Sequence, residues 1–265
     1  SRFGRHVMEA AARHLTPVTL ELGGKSPCIV GREADLEIAA RRVVWGKFVN
    51  AGQTCVAPDY VLVHEEQRTA FVEAMKRAIG RFYGDDPYRS PDYPRIVHRA
   101  GTERLARLMS SSGQVVIGGE VRIEERYVAP TVLIEVESDS PVMREEIFGP
   151  LLPVLTYREV GEAIRFVNGR DKPLALYYFG PRREACEVLA RTSSGGACVN
   201  DMLVHLANPR LPFGGVGMSG MGKYHGKASF ELFSNLRSVV KSFTFFDNPF
   251  RYAPYKHLNL LKKFM

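Results

Sequence analysis

The sequence contains few cysteines and no long apolar run, and each absence excludes a class of protein. Four cysteines in 265 residues are too few for a disulfide scaffold, and no two of them form a Cys-x-x-Cys pair. We therefore expect a reducing, cytoplasmic environment and no metal site. No run of 18 apolar residues is present, so we expect no membrane-spanning helix, and the first residues do not resemble a signal peptide.

The protein also lacks an excess of glycine or proline and a stripe of positive charge. With 24 glycines and 16 prolines, the collagen-like, low-complexity and disordered classes are excluded. More than half of the net charge of +7 lies in residues 241–265, and the remaining charges are mixed along the chain. Binding to a nucleic-acid duplex requires a basic stripe, so we expect no nucleic-acid partner.

What the sequence does contain is an alternation of helical and strand-like stretches. Helices are predicted over residues 3–14, 35–49, 66–82, 101–110, 160–168 and 182–191. Strands are predicted over residues 18–22, 28–31, 60–63, 114–117, 127–135, 151–156, 174–179 and 196–199. This alternation favours an α/β fold with a mostly parallel sheet and helical crossovers. Because the chain opens directly on a helix with no strand before it, we interpret it as a piece of a larger protein.

Two positions stand out for their chemistry. Cys55 lies in a loop of small residues, where backbone N–H groups can favour a reactive thiolate. A buried structural cysteine is the alternative, and it is our interpretation of the other three cysteines, at positions 28, 186 and 198, which lie in apolar helix or strand contexts. Glu21 ends an apolar strand, so its carboxylate is either paired with a cation or tuned as an acid or base.

Three further features admit a functional or a structural interpretation. Gly215 to Gly220 satisfies G-x-G-x-x-G, but prolines precede it and neither a helix nor an acidic residue follows at the required distance. A close-packed loop that lines a cavity is therefore favoured over a dinucleotide fingerprint. His225 is typical of a solvated loop histidine rather than a metal ligand, and Glu145 with Glu146 is typical of a solvated pair before a strand.

Four motifs occur in a characteristic order. Residues 20–27 are LELGGKSP, residues 52–55 are GQTC, residues 145–150 are EEIFGP and residues 212–215 are PFGG. Together they resemble the catalytic half of an aldehyde dehydrogenase. Residues 15–19, 54–60 and 224–227 are similar to the class 3 and fatty aldehyde dehydrogenase branch of that family. The resemblance extends over nearly the whole chain.

The resemblance implies oxidation of aldehydes to carboxylic acids with NAD or NADP. Cys55 is then the nucleophile that forms a thiohemiacetal and a thioester, and Glu21 is the base that activates water for hydrolysis. Glu146 corresponds to the residue that binds the nicotinamide-side ribose, and Phe148 to the aromatic residue beside the nicotinamide. Medium- or long-chain aliphatic aldehydes, or aromatic ones, are the expected substrates, and a homodimer is the expected assembly.

The same resemblance assigns the remaining site residues. Phe213 and His225 are expected in the substrate pocket, and Ser1 and Gly4 at the end of a phosphate-binding loop before a helix. In the family, the asparagine that completes the oxyanion site and most cofactor contacts belong to an amino-terminal half. We therefore expect this chain to be inactive alone. A non-enzymatic scaffold subunit that keeps the fold and the dimer surface is the alternative.

Four segments follow from the resemblance and from the charge pattern. Residues 1–22 are predicted to be a remnant of the cofactor domain and residues 23–225 the catalytic domain. Residues 226–245 are predicted to form a strand that bridges subunits. Residues 246–265 form a basic tail whose apolar residues recur at helical spacing, which predicts a short amphipathic helix. Three roles for it remain open: the mouth of a substrate tunnel, contact with an anionic membrane surface, or packing on its own domain.

Overall fold

The computed structural model describes residues 2–247 and 251–255, which fall into two units, Ser1–Leu232 and Phe233–Met265. The described part of the first unit contains eleven strands and nine α-helices. The strands are β1 Leu20–Glu21, β2 Pro27–Val30, β3 Tyr60–His64, β4 Gln114–Ile117, β5 Val121–Arg122, β6 Tyr127–Val128, β7 Thr131–Ile134, β8 Leu151–Tyr157, β9 Ala175–Phe179, β10 Gly196–Val199 and β11 Gly220–Met221. The helices are α1 Arg2–Ala12, α2 Leu36–Phe48, α3 Arg68–Tyr83, α4 Arg99–Ser110, α5 Pro141–Arg144, α6 Val160–Asn168, α7 Arg182–Arg191, α8 Val204–Ala207 and α9 Gly226–Leu232.

The helix boundaries follow from local chemistry. Asp35 caps α2, because its carboxylate accepts a hydrogen bond from Ile38 N at 3.0 Å and so satisfies a free N–H of the first turn. Gly84 ends α3 with a φ of 75°, a backbone conformation that glycine adopts without steric penalty. None of the helices in the described residues is long and apolar enough to cross a bilayer.

A seven-stranded sheet forms the centre of the first unit, in the order β10-β9-β2-β3-β8-β7-β4. Five of its neighbouring pairs are parallel, and only the edge pair β4 and β7 is antiparallel. The predicted α/β fold with a mostly parallel sheet is therefore confirmed. Strands β2, β3 and β9 are buried at every residue, as expected for parallel strands that helices cover on both faces.

The direction in which the chain crosses the sheet explains this burial. From β2 to β3 the chain moves one way through α2, and from β8 to β9 and then β10 it moves the opposite way through α6 and α7. Right-handed crossovers in opposite directions place their helices on opposite faces. Accordingly, α2 packs against α3, while α6 packs against α7.

Three sequence predictions need correction. The strand expected over residues 127–135 is divided into β6 and β7 around Pro130, which lacks the N–H that a ladder requires. The strand expected over residues 18–22 is reduced to β1. Residues 226–232 form helix α9 instead of a bridging strand, and Ser229 Oγ accepts from His225 N at 2.7 Å as the helix begins. Residues 233–247 form no strand within this chain, and a strand that bridges subunits would need a partner from another chain.

Two predictions lie outside the described residues. These are the cofactor contact assigned to Ser1 and the amphipathic helix assigned to the last residues of the basic tail, from position 256 onward. Gly4 lies in the first turn of α1 and is buried, with Leu22 packed closely against its Cα. It therefore occupies the start of a helix.

Candidate active site

Three predicted site residues and one further residue, Lys25, lie in loops that lead into strands of the central sheet. Lys25 precedes β2, Cys55 precedes β3, and Glu146 and Phe148 precede β8. These three strands are neighbours and run parallel, so their amino-terminal ends meet at one edge of the sheet. The topology thus brings together side chains that are far apart in the sequence.

The loop that carries Cys55 begins with an abrupt turn at the end of α2. Asn50, Ala51 and Gly52 have φ values of 54°, 50° and 72°, all in the left-handed region. A side chain at Gly52 would place its Cβ 2.3 Å from the carbonyl oxygen of Gly149, so only glycine fits there. The turn redirects the chain from the helix to the sheet edge and leaves Cys55 half-buried.

The Cys55 thiol lies beside the Glu21 carboxylate. Glu21 is held by the antiparallel pairing of β1 with β11, where it lies opposite Gly220. Burial, then the charge and hydrogen bonding of Glu21, and then the charge of Glu146 together raise the pKa of Cys55 to about 12. The expectation that the loop favours a thiolate is therefore wrong for this arrangement: the thiol form is stabilised, with a base next to it.

Glu21 retains hydrogen-bonding capacity in this position. Its Oε1 atom is buried and has no hydrogen-bond partner among the described residues. A buried carboxylate oxygen without a partner is costly, and such groups concentrate where a proton or a ligand is to be bound. The Glu21 carboxylate can therefore accept a proton from the thiol or from a water molecule.

An aromatic cluster lies next to this pair. Phe213 is buried, and its ring stacks on His225 at 5.3 Å between ring centroids and contacts Tyr224 edge-on at 5.8 Å. The main chains of Phe213 and Tyr224 exchange two hydrogen bonds, of 2.7 and 2.8 Å. The charges of Glu21 and Cys55 both act on the Tyr224 phenol, raising its pKa after burial. His225 is thus a packed ring of this cluster and not the solvated loop histidine that the sequence favoured, while Tyr224 was not predicted as a site residue.

Glu146 lies in the wall of an adjoining cavity of about 950 Å³. The other lining residues are Gly23, Gly24, Lys25, Met143, Arg144, Glu145, Gly169, Arg170, Asp171, Lys172, Met218 and Ser219. Burial, and then the charge of Asp59, raises the pKa of Glu146 to about 7, although Gly24 N donates a hydrogen bond to it. The interpretation of Glu146 as part of a solvated pair is therefore wrong, and only Glu145 is exposed, in an ion pair with Arg104.

A group of buried charged side chains lies next to this cavity. Lys25 pairs with Asp59 and donates to Val142 O at 2.8 Å, while Asp59 accepts from Ile147 N at 3.0 Å. Lys47 is fully buried, and its Nζ has no hydrogen-bond partner among the described residues. Burial lowers the pKa of Lys47 to about 8, against the opposing influence of the Asp59 charge.

Sequence reasoning did not identify Lys47 or Asp59. A signal for Lys47 was present, because it continues the spacing of Ala40, Val43 and Val44 on the buried face of α2. A lysine at a core position of an amphipathic helix indicates a buried charge that needs a nearby carboxylate. Asp59 gives no comparable local signal, since its partners come from other loops.

The remaining predicted positions differ in exposure. Phe148 is 45% exposed and has a φ of 45°, which is unusual for a bulky residue and is typical of strained positions at functional sites. Cys28 and Cys198 are buried, as expected, but Cys186 is exposed on α7. Its neighbours Ala185 and Val188 form the buried face of that helix, so the structural interpretation of Cys186 is wrong.

The glycine cluster forms the close-packed loop that the sequence favoured. Gly217 to Ser219 make one 3₁₀ turn, followed by the short strand β11, and a Cβ at Gly215 would lie 2.0 Å from Ser219 O. Met218 and Ser219 line the cavity beside Glu146. Among residues 2–247 and 251–255 there is no group of three His, Cys, Asp or Glu side chains that could hold a metal ion.

Comparisons with known proteins show extensive sequence similarity. The sequence model of the aldehyde dehydrogenase family matches residues 1–239. Mouse aldehyde dehydrogenase family 3 member B1 is 53% identical over 260 residues, which are 97% of this chain and 55% of that protein. Mouse dimeric NADP-preferring aldehyde dehydrogenase is 52% identical over 238 residues, which are 89% of this chain and 52% of that protein.

A solved structure shows the same fold. The substrate-bound state of Staphylococcus aureus AldH superimposes with a TM-score of 0.96 at 47% sequence identity, covering 99% of this chain and 58% of that one. The chain therefore spans little more than half the length of the relatives that it matches. Since the family model covers most of its residues, the chain belongs to the aldehyde dehydrogenase family.

Proposed function

We propose that this chain is the catalytic part of an NAD- or NADP-dependent aldehyde dehydrogenase, which oxidises aldehydes to carboxylic acids through Cys55. The observation that carries the proposal is the Cys55 thiol beside the Glu21 carboxylate, between an aromatic cluster and a polar cavity. A thiol can form a covalent adduct with an aldehyde carbonyl, and an adjacent carboxylate can move the protons that this chemistry requires.

The residues around the polar cavity fit a ribose-bearing cofactor. Glu146 accepts one hydrogen bond from Gly24 N, which leaves further acceptor sites for a vicinal diol, and Phe148 presents an exposed ring on the same loop. Glu146 and Phe148 would hold the nicotinamide-side part of the cofactor, as the resemblance implies. When bound, the cofactor supplies the acceptor for the hydride that leaves the aldehyde carbon.

The first task of the chain is to activate a protonated thiol. Because the pKa of Cys55 is raised to about 12, the thiol carries its proton near neutral pH. As sulfur attacks the carbonyl carbon, the thiol proton passes to the adjacent Glu21 carboxylate, and a thiohemiacetal forms on Cys55. This transfer removes the charge of Glu21 from the neighbourhood of the new oxyanion.

The second task is hydrolysis of the thioester that remains on Cys55 after oxidation. Once Glu21 has released the thiol proton to solvent, its carboxylate removes a proton from a water molecule as the water oxygen attacks the thioester carbonyl. Cleavage of the carbon–sulfur bond then releases the carboxylic acid and returns the proton to sulfur. One water molecule is consumed and the thiol is regenerated.

The aromatic cluster favours apolar aldehydes. Phe213, Tyr224 and the ring of His225 present apolar faces near Cys55, and such faces bind aliphatic chains or aromatic rings by excluding water. We therefore propose medium- or long-chain aliphatic aldehydes, or aromatic aldehydes, as the substrate class.

The chemistry of Cys55 and Glu21 can be tested on this chain without a cofactor. An activated ester such as p-nitrophenyl acetate acylates a thiol directly, so it enters the reaction at the acyl-enzyme stage. We expect a burst of one nitrophenolate per chain followed by slow turnover. Glu21→Gln should keep the burst amplitude, slow the burst itself because the thiol has lost its proton acceptor, and lower the steady rate by roughly 100-fold, the usual contribution of a general base.

Two controls make the ester experiment decisive. Cys55→Ala should abolish the burst, and Cys186→Ser, which removes the exposed thiol, should leave it unchanged. No burst above the Cys55→Ala background would refute Cys55 as the nucleophile. An unchanged steady rate in Glu21→Gln would refute Glu21 as the base of thioester hydrolysis.

We also propose two interactions from the sequence. The name of the dimeric NADP-preferring relative supports a homodimer, and residues 233–245, which follow α9, are proposed as the bridging segment. The basic tail, residues 246–265, is proposed to contact anionic membrane surfaces peripherally, which would place a cytoplasmic enzyme at the membrane. Deletion of residues 255–265 should lower retention on anionic vesicles at low salt, and unchanged retention would exclude this role.

A further inference from the structure

The loop that carries Cys55 is held in a backbone conformation that its own residues disfavour. Asn50 and Ala51 are consecutive non-glycine residues with φ values of 54° and 50°. Asparagine tolerates this left-handed region better than most residues, but alanine enters it reluctantly, because its Cβ approaches the following carbonyl oxygen. Such a conformation persists only where the surrounding contacts over-determine it.

The side chain of Gln53 makes these contacts. Its Nε2 donates to Asn50 O at 3.0 Å and to Arg95 O at 3.2 Å, while its Oε1 accepts from Val97 N at 2.9 Å. In return, Asn50 Nδ2 donates to Gln53 O at 2.9 Å. One amide group therefore closes the left-handed turn on itself and fastens it to the main chain of a second segment, residues 93–97.

That second segment is itself rigidly held. The Arg95 guanidinium lies between the rings of Tyr88 and Tyr127, at 4.8 and 4.9 Å from their centroids. It also donates to Tyr88 O at 2.7 Å and to Tyr93 O at 3.3 Å. The carbonyl that receives Gln53 thus belongs to a residue whose side chain is fixed by two rings and two hydrogen bonds.

We infer that Gln53 is a positioning residue that holds the strained loop on the segment of Arg95, so that the Cys55 thiol stays beside Glu21. This inference rests on the proposed function, since it takes Cys55 as the nucleophile. Gln53 acts through the turn at residues 50–52 and through the two main-chain contacts, without contact to the substrate.

Release of the loop would change the environment of the thiol. The ionisable groups that face Cys55 are the carboxylates of Glu21 and Glu146 and the phenols of Tyr177 and Tyr224. Burial and these carboxylates raise the pKa of Cys55 from 9.0 to about 12. A thiol that leaves this position titrates closer to its ordinary range and reacts more readily with an alkylating reagent.

The test measures the alkylation rate of Cys55 between pH 7 and 9.5 in the whole chain. Cys186→Ser is the background, because it removes the exposed thiol, and peptide mass mapping follows Cys55 with iodoacetamide as the reagent. In this background the logarithm of the rate should rise with unit slope throughout. Gln53→Met should bend the profile toward a plateau near pH 9. At pH 7.5 the rate should increase about thirtyfold, since each of the three units of lowered pKa multiplies the thiolate about tenfold and reduces its nucleophilicity about threefold.

Two further variants separate positioning from a general loss of structure. Gln67→Met removes a comparable hydrogen bond, from Gln67 Nε2 to Arg32 O at 3.0 Å, far from the nucleophile loop, and should keep the unit slope. Arg95→Leu removes the stacked cation but leaves Gln53 in place, so it should produce the same bend to a smaller extent. Far-UV circular dichroism verifies that each variant is folded.

The possible results distinguish this inference from the proposed function. An unchanged slope and rate in both Gln53→Met and Arg95→Leu would overturn the positioning role of Gln53. Equal effects of Gln53→Met and Gln67→Met would overturn it as well, because the change would then reflect general loosening. Failure of the proposed function would appear instead as the absence of an ester burst in the unaltered chain.

Discussion

Removal of the Asp59 carboxylate should destabilise the fold more than removal of any exposed carboxylate. The Lys25 and Asp59 side chains are only 12% and 4% exposed, and Asp59 also accepts from Ile147 N in the loop that contains Glu146. Breaking one partner of a buried ion pair costs about 3–5 kcal/mol, and a buried N–H left without an acceptor costs about 1–3 kcal/mol. These contributions overlap, so we expect about 4 kcal/mol for Asp59→Ala. Asp59→Asn should cost about 1 kcal/mol less, since it can still accept from Ile147 N.

Urea unfolding measures this difference. With a slope of about 3 kcal/mol per molar urea, a loss of about 4 kcal/mol lowers the midpoint by about 1.3 M. Far-UV circular dichroism and the fluorescence of Trp45, the single tryptophan, should give the same midpoint. The control is Glu65→Ala, which breaks the exposed ion pair with Arg158, where the side chains are 45% and 75% exposed, and should cost no more than about 1 kcal/mol. Equal midpoints for Asp59→Ala and Glu65→Ala would refute the assignment of Asp59 as the buried anchor of the site.

Three further predictions concern protonation, thiol reactivity and turnover. Glu146 keeps its proton in the folded state up to about pH 7 but loses it near pH 4.5 in the unfolded chain. The stability of the wild type relative to Glu146→Gln, measured as urea midpoints, should therefore fall as the pH rises from 4.5 to 7. Parallel curves for the two proteins would contradict the raised pKa. With limiting iodoacetamide, Cys186 should be modified first, Cys55 second, and Cys28 and Cys198 last, and equal modification of all four in mass mapping would contradict the burial described above. The purified chain, mixed with an aldehyde and NAD or NADP, should reduce no more cofactor than the Cys55→Ala variant does. Clear turnover that this substitution abolishes would show that the chain alone is sufficient for aldehyde oxidation.

Much of the fold could be predicted because its signals are local. The helix predicted over residues 182–191 matches α7 at both ends, and the strands over residues 60–63 and 114–117 match β3 and β4 to within one residue. Period, caps and chain breakers are encoded within a few neighbouring residues. The strand over residues 127–135 was predicted as one element because the effect of Pro130 on the ladder was not applied.

Residues of the candidate site were predictable only where they lie within a recognisable motif. Cys55, Glu21 and Glu146 stand in motifs that mark the family, and the structure places all three around one site. The protonation states of these groups were not predictable, because the pKa of Cys55 depends on burial and on carboxylates from two other segments of the chain. Asp59 and Tyr224 were missed for the same reason, since their partners lie far away in the sequence.

The position of the site at the amino-terminal edge of the sheet has a consequence for the order of folding. Lys25, Cys55 and Glu146 become neighbours only after β2, β3 and β8 lie side by side, and parallel strands joined by long crossovers associate slowly. The site is thus completed late, after its helices have formed. During refolding, the time at which Cys55 becomes protected from a thiol reagent would report the assembly of the central sheet. Cys186 remains exposed in the native fold and would record the activity of the reagent throughout.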